Sequence, residues 1–273
     1  MGLPTAVRAF DDISEVYDET RSPADPAALD AVVAHLRGAG IARLLEVGVG
    51  TGRIAGPLGE RGLSVVGLDA ARRMLEKARA KGVARLVQGS AHRLPFADGA
   101  FDAALFVHVL HVVDRPESVI REAARVSSAG VYALMNPARR DPGRERPEEN
   151  PLRLLREDLA AHGAVVPDRV RGPGQREADL IAAHPPDATV TILDEERTEP
   201  VAKRLDLVAR RASRHFRDVP PELLDPAIAR VRATLGGRTK TFRHVELLVH
   251  WSGAGAAQKT ADPPPVTSRT GGP

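Results

Sequence analysis

Residues Glu46, Val47, Gly48, Val49, Gly50, Thr51 and Gly52 read E-x-G-x-G-x-G. They follow a short apolar run, Ala42 to Val47, and precede a stretch of helical character, Arg53 to Arg61, stopped by Gly62. Glycines in such a turn let the backbone bend sharply and let a ligand approach where a Cβ would otherwise stand. A dinucleotide fingerprint needs its third glycine three places after the second, and that place is Arg53. Together with an acid two residues before the first glycine, this mismatch argues against a pyrophosphate ligand. No Gly-Lys-Ser or Gly-Lys-Thr occurs, so a phosphate-cradling P-loop is absent.

Asp69 lies 17 residues beyond Gly52, at the end of the β-branched run that starts at Ser64. A carboxylate there can accept two hydrogen bonds from a ribose diol; the alternative is an N-cap for the helix that begins near Ala71. His108 and His111 flank the end of another apolar run, Phe101 to Val109. A neutral imidazole suits a general base near pH 7. The alternative is that His108 only lines a cleft and His111 caps or packs against the next helix. Two histidines at this spacing without a carboxylate partner are a poor zinc signal. The absence of Cys removes disulfides, thiolate nucleophiles and Cys-ligated metal sites.

These residues are positioned by an alternating pattern. Asp25 to Gly38 has Leu29, Val32, Val33 and Leu36 at helical spacing. Strands are expected at Ala42 to Val47, Ser64 to Asp69, Ala84 to Gln88, Phe101 to Val109 and Val131 to Met135, with helices at Arg53 to Arg61, Ala71 to Ala80 and Pro116 to Val126. The nearly continuous apolar run Phe101 to Val109 suits a strand covered on both faces. Such βα alternation predicts an α/β fold with a doubly wound, mostly parallel sheet and helices on both faces. Ligands of such sheets sit at the carboxyl ends of the strands, where Glu46 to Gly52, Asp69, Ser90 and His108 converge.

Beyond Pro137, Ala138 to Asn150 reads as an exposed loop. Helices are expected at Pro151 to His162, Arg176 to His184, Glu199 to Arg214 and Glu222 to Leu235, and strands at Ala188 to Leu193 and Thr241 to Trp251. Residues 1 to 251 then form one seven-stranded domain with a helical, lid-like insert at about 199 to 236, and 252 to 273 form a disordered tail.

The 273 residues are 42% hydrophobic and 27% charged, which excludes wholesale disorder. Aromatics are only 3%, so the core is aliphatic. Net charge is +3 although the pI is about 9.6, and no basic run exceeds two residues, which disfavours non-specific nucleic-acid binding. No apolar stretch reaches the roughly 18 residues of a membrane span, and no leader is evident at the start, so a cytoplasmic protein is the default expectation.

One set of residues carries a family resemblance: Glu46 to Gly52, Gly67 to Ala70, Gly89 to Phe96, Phe101-Asp102 and Val109-Leu110-His111, in that order. Over about residues 10 to 137 the chain resembles the class I S-adenosylmethionine-dependent methyltransferases, in the branch that acts on small molecules. The resemblance implies a Rossmann-like sheet ending in an antiparallel hairpin, with S-adenosylmethionine as cofactor. It implies that Glu46, Gly48 and Gly50 cup the amino acid part, that Asp69 holds the ribose, and that Ala70 and Met74 lie beside the adenine. Val107 and His108 would line the same cleft, and Tyr17 and Arg21 would close over the cofactor's carboxylate unless that segment is only a surface helix. Where the family has Gly-Asp-Ala after the third strand, this chain has Gly89-Ser90-Ala91. Ser90 brings a hydrogen-bond acceptor but no charge, or else the backbone of Ala91 makes the adenine contact. Val126-Ser127-Ser128-Ala129-Gly130 replaces the family's Leu-Arg-Pro-Gly-Gly and reads as a different loop.

Methyl transfer from a sulfonium is an in-line displacement that mainly requires donor and acceptor to be held together in a dry cleft. His108 and His111 are the candidate bases for a hydroxyl or amine acceptor. Arg204, Arg210, Arg211, Arg214, His215 and Arg217 in the insert would select an anionic acceptor, or else form a solvated face. A small-molecule acceptor is expected. No membrane partner is expected, nor nucleic acid, because no Asn- or Asp-Pro-Pro-aromatic tetrapeptide follows the fourth strand. The alternatives are a non-catalytic cofactor-binding regulator and, third, a nicotinamide-dependent oxidoreductase.

Overall fold

A computed structural model describes residues 10–15, 17–20, 24–137, 150–164, 166, 173–210, 216 and 218–252. Seven strands form one sheet: β1 (Arg43–Val47), β2 (Ser64–Asp69), β3 (Leu86–Gln88), β4 (Ala103–Val107), β5 (Val131–Met135), β6 (Ala188–Pro200) and β7 (Thr239–Trp251). Their order is β3-β2-β1-β4-β5-β7-β6. The first five pair in parallel, while β7 runs antiparallel to both β5 and β6. The fold is the expected α/β, Rossmann-like one.

Side chains alternate across a strand, so each central strand feeds two cores. From β1, β4 and β5, Leu45, Val47, Ala104, Phe106, Ala133 and Met135 pack on one face with helix α4 (Pro116–Arg125), through Val119, Ile120 and Ala123. Leu44, Ala103, Leu105, Tyr132 and Leu134 pack on the other with α1 (Pro26–Gly38), through Leu29, Val32, Val33 and Leu36. Helix α1 begins where the sequence says: Asp25 accepts the amides of Ala27 and Ala28 at 2.8 and 3.2 Å, just before Pro26. Helices α2 (Ala55–Glu60) and α3 (Arg72–Ala80) follow β1 and β2.

Several expected boundaries move, three of them for reasons the structure shows. Strand β4 stops at Val107 instead of Val109, because His108 adopts a left-handed backbone, φ 49°, while its N–H still bonds Leu134 O at 3.1 Å. Strand β6 continues past Leu193 to Pro200. Charges on the two strands instead pair across an exposed two-stranded ribbon, with the Asp194 carboxylate on Arg243 (Oδ2–Nη2 2.6 Å). The helix expected from Glu199 is consequently the shorter α7 (Lys203–Ala209).

Helices α5 (Pro151–Ala161), α7 and α8 (Pro221–Leu235) form a cap with a core of its own, built on Leu155, Leu159, Leu205, Phe216, Leu224 and Val231. Helix α6 (Pro173–Ala183) instead joins the main core through Leu180 and Ile181. The tail expected as disordered lies, from residue 253 on, outside the described residues.

Candidate active site

The glycine turn after β1 is held by its own geometry. Gly48, Gly50 and Gly52 all have positive φ, at 79°, 55° and 74°. A Cβ on Gly48 would stand 2.7 Å from Val109 Cγ2; on Gly52 it would stand 2.6 Å from Val83 Cγ2 and 3.1 Å from Ala78 Cβ; on Gly50 it would meet nothing within 4 Å. Gly52 is thus a packing glycine, and Gly50 an open one. Gly52→Ala adds left-handed strain to overpacking against α3 and lowers stability by about 3 kcal/mol. Gly50→Ala carries the strain alone, about 1–2 kcal/mol, and paired urea denaturations should rank them in that order.

Glu46 sits under this turn, 2% exposed. Its Oε2 is buried without a hydrogen-bond partner, and desolvation pushes its carboxyl up to about 8, with Asp69 adding to the rise and Arg53 and the Ala55 N–H opposing it. A buried acceptor left unpaired is costly. Asp69 accepts the amides of Gly50 and Ala71, both at 2.8 Å. Burial raises its pKa against those bonds. It therefore ties the glycine turn to the start of α3, whose own cap position is Ala71.

Beside these groups lies a cavity of about 160 Å3, open to solvent. Of the residues singled out from sequence, Tyr17, Gly48, Gly50, Asp69, Ala70, Met74, Ala91, Val107, His108 and His111 all line it. Glu46, beneath the turn, and Ser90 do not, although Val47 and Gly48 after the first and Gly89 and Ala91 around the second do. Ser90 is exposed, and its hydroxyl accepts the His92 amide at 3.2 Å in a tight turn that takes it off the cavity wall. Ala91 is thus the member of the pair that the cavity meets. Arg21 lies outside the described residues.

The segment bearing Phe10 and Tyr17, both on the cavity wall, is fastened across α3. Asp11 accepts the Arg73 amide at 2.9 Å, Glu15 pairs with Lys77 at 2.5 Å, and Asp18 binds both Thr51 Oγ1 (2.6 Å) and Lys81. Those bonds to Asp18 outweigh its partial burial and hold its carboxyl below the usual range. From the cap, Arg210 reaches Glu19 at 2.7 Å. Arg210 is engaged by an acid of this chain; Arg204 is exposed, and Arg211, Arg214, His215 and Arg217 lie outside the described residues.

The two histidines have different surroundings. His108 is held by burial below its ordinary pKa, the charges of Arg53 and His111 adding to that, and the carboxylates of Glu177 and Glu246 opposing it. His111 Nδ1 lies 2.9 Å from Glu177 Oε1, a carboxylate 2% exposed on α6. Sequence reasoning missed Glu177, which is 66 residues away, and also Phe10, Val109, Val112 and Val113, the apolar wall that follows β4. The wall was foreseeable from its valines; Glu177 left no local signal. Among the described residues no cluster of three or more His, Cys, Asp or Glu could hold a metal ion, and no helix is long and apolar enough to cross a membrane.

Comparison with known proteins now decides the family. The family described as "Methyltransferase domain" matches residues 45–135, from within β1 to the end of β5. A phosphatidylethanolamine N-methyltransferase of Cereibacter sphaeroides is 32% identical over 163 residues, 57% of this chain and 79% of that protein. The chain belongs to the class I S-adenosylmethionine-dependent methyltransferases. It is an enzyme of that family. A demethylmenaquinone methyltransferase of Renibacterium salmoninarum is 34% identical over 130 residues, but this methyltransferase spans only 53% of its length. The crystal structure of the YcgJ protein of Bacillus subtilis shares the fold, with a TM-score of 0.53 at 20% identity, covering 82% of this chain and 98% of that one.

Proposed function

We propose that this methyltransferase binds S-adenosylmethionine in the cavity between the glycine turn and Tyr17 and passes its methyl group to a small-molecule acceptor at the His108–His111 end. The observation that carries the reading is the unpartnered Glu46 Oε2, buried beside a glycine turn whose Gly50 leaves room for a ligand. That carboxylate suits the ammonium of an amino acid moiety. Asp69, aimed at the turn from β2, suits a ribose diol. Gly89, Ala91, Met74 and Ala70 offer an apolar slot fit for a purine.

Bound there, the cofactor supplies a methyl group already activated on sulfur, so the chain's residues have to orient and dehydrate. Phe10, Tyr17, Val109, Val112 and Val113 give the cavity an apolar wall, which disfavours water around the reacting atoms. His108, kept neutral by burial, and His111 stand where an acceptor would lose its proton. A single domain over residues 1–251, with the cap reaching the Tyr17 segment through Arg210 and Glu19, fits this arrangement. The named relatives are a phosphatidylethanolamine N-methyltransferase and a demethylmenaquinone methyltransferase, and both names carry a small-molecule acceptor. To test this, purified protein is incubated with methyl-labelled S-adenosylmethionine and a cell extract split into small-molecule and macromolecular fractions. Label is expected in the small-molecule fraction; label only in protein or nucleic acid would overturn the reading.

A further inference from the structure

Behind His111 runs a chain of polar groups, half-buried except for the buried Glu177, that cofactor binding does not use. Glu177 Oε1 faces His111 Nδ1 at 2.9 Å, and its Oε2 accepts the backbone N–H of Asn136 at 2.8 Å. The Asn136 side-chain amide meets His244 Nδ1 at 2.9 Å, and His244 Nε2 lies 3.2 Å from Glu246 Oε1. Three elements meet here: α6 brings Glu177, the end of β5 brings Asn136, and β7 brings His244 and Glu246.

The donor and acceptor roles follow from which groups can only accept. A carboxylate only accepts, so His111 must donate from Nδ1 to Glu177. The Asn136 amide donates to His244 Nδ1, and His244 donates from Nε2 to Glu246. His111 lines the cavity, and its Nδ1 is taken. Its Nε2, as an unprotonated lone pair, is the polar atom left for a ligand. Fixing a histidine tautomer through its second nitrogen is how a base is oriented.

We infer that Glu177 is a positioning residue that holds His111 as the base, and that the acceptor's reacting atom is a heteroatom bearing a proton, a hydroxyl or an ammonium, as opposed to a carboxylate. The inference rests on the functional reading above. The balance is one proton for one methyl: a hydroxyl loses its O–H bond as it gains the methyl group, an ammonium loses an N–H bond first to free its lone pair, and in either case the proton goes to His111 Nε2. The positive charge lost at sulfur reappears on the imidazole, beside the Glu177 carboxylate. A carboxylate acceptor has no proton to give, and the same wall would repel it through Glu177 and Glu246.

Glu177→Gln is nearly isosteric and makes a specific prediction. Asn136 N–H still needs an acceptor, so the amide oxygen turns to Asn136 and the amide NH2 turns to His111 Nδ1. That forces the opposite tautomer and presents an N–H to the cavity. The experiment is histidine 15N NMR on the full chain, wild type and Glu177→Gln, near neutral pH with S-adenosylhomocysteine added, alongside calorimetry with the same ligand. In the wild type the Nδ1–H form of His111 should exceed the Nε2–H form by more than about tenfold; in Glu177→Gln the ratio should invert. An Nε2–H form in the wild type overturns the proposal even if the variant fails to fold, and so does an unchanged tautomer in a folded variant. If the wild type does not bind S-adenosylhomocysteine, the cofactor reading fails instead; unchanged binding in Glu177→Gln is the result expected here.

Discussion

Asp69→Ala should lower the affinity for S-adenosylhomocysteine by at least about 100-fold, the equivalent of about 3 kcal/mol. The size follows from what one side chain holds. Its two oxygens take the amides of Gly50 and Ala71, so they fix the glycine turn relative to α3 before any ligand arrives. Hydrogen bonds to a charged group contribute about 1.5–3 kcal/mol each, and the variant loses two within the protein together with those to a ribose. Part of the loss appears without ligand, as about 1–3 kcal/mol of stability from two amides left without an acceptor. Calorimetric titration of variant and wild type measures the first, and thermal unfolding without ligand the second. Wild-type affinity in Asp69→Ala would leave Asp69 as a structural tie and nothing more.

The second large effect concerns protons. Without ligand the Glu46 carboxyl is pushed up to about 8 by burial, so near pH 7 it is mostly protonated. An ammonium delivered to Oε2 favours the charged form, so binding should release close to one proton per cofactor at pH 7, and fewer as pH rises past 8. Affinity should therefore increase with pH up to about 8. The same shift fixes a stability trend without ligand. The folded pKa lies above the unfolded value of 4.5, so the folded state holds the proton more tightly. Its contribution is full below about pH 4.5 and is lost as pH rises through 8, by about 4–5 kcal/mol at about 1.36 kcal/mol per unit. Glu46→Gln should abolish most of the proton release and flatten that decline. Calorimetry in two buffers of different ionisation enthalpy counts the protons, and Glu46→Gln separates them from any released at Asp69, whose pKa burial also raises.

Much of this arrangement is legible in the sequence, for local reasons. The E-x-G-x-G-x-G turn keeps its identity because three consecutive alternate residues need positive φ or the space of a missing Cβ. The parallel strands announce themselves because both faces are covered, and α1 because Asp25 and Pro26 mark its start. The failures are of another kind. His108 ends β4 early through a left-handed backbone that no residue type demands. The β6–β7 ribbon is charged on its exposed faces, so its alternation lacks the apolar half that a strand normally shows. Ser90 occupies the place of a family acid, yet the turn it closes with His92 and Arg93 removes it from the cavity wall. Glu177 reaches His111 only because α6 folds back over the end of β5, a tertiary fact with no local pattern.

The most direct test of the central claim is calorimetric titration of the full chain with S-adenosylhomocysteine, with NADH as the comparison ligand. The account predicts saturable one-to-one binding of S-adenosylhomocysteine, proton release that depends on Glu46, and no heat from NADH. Binding of NADH in its place, or S-adenosylhomocysteine binding that is indifferent to both Glu46→Gln and Asp69→Ala, would contradict it.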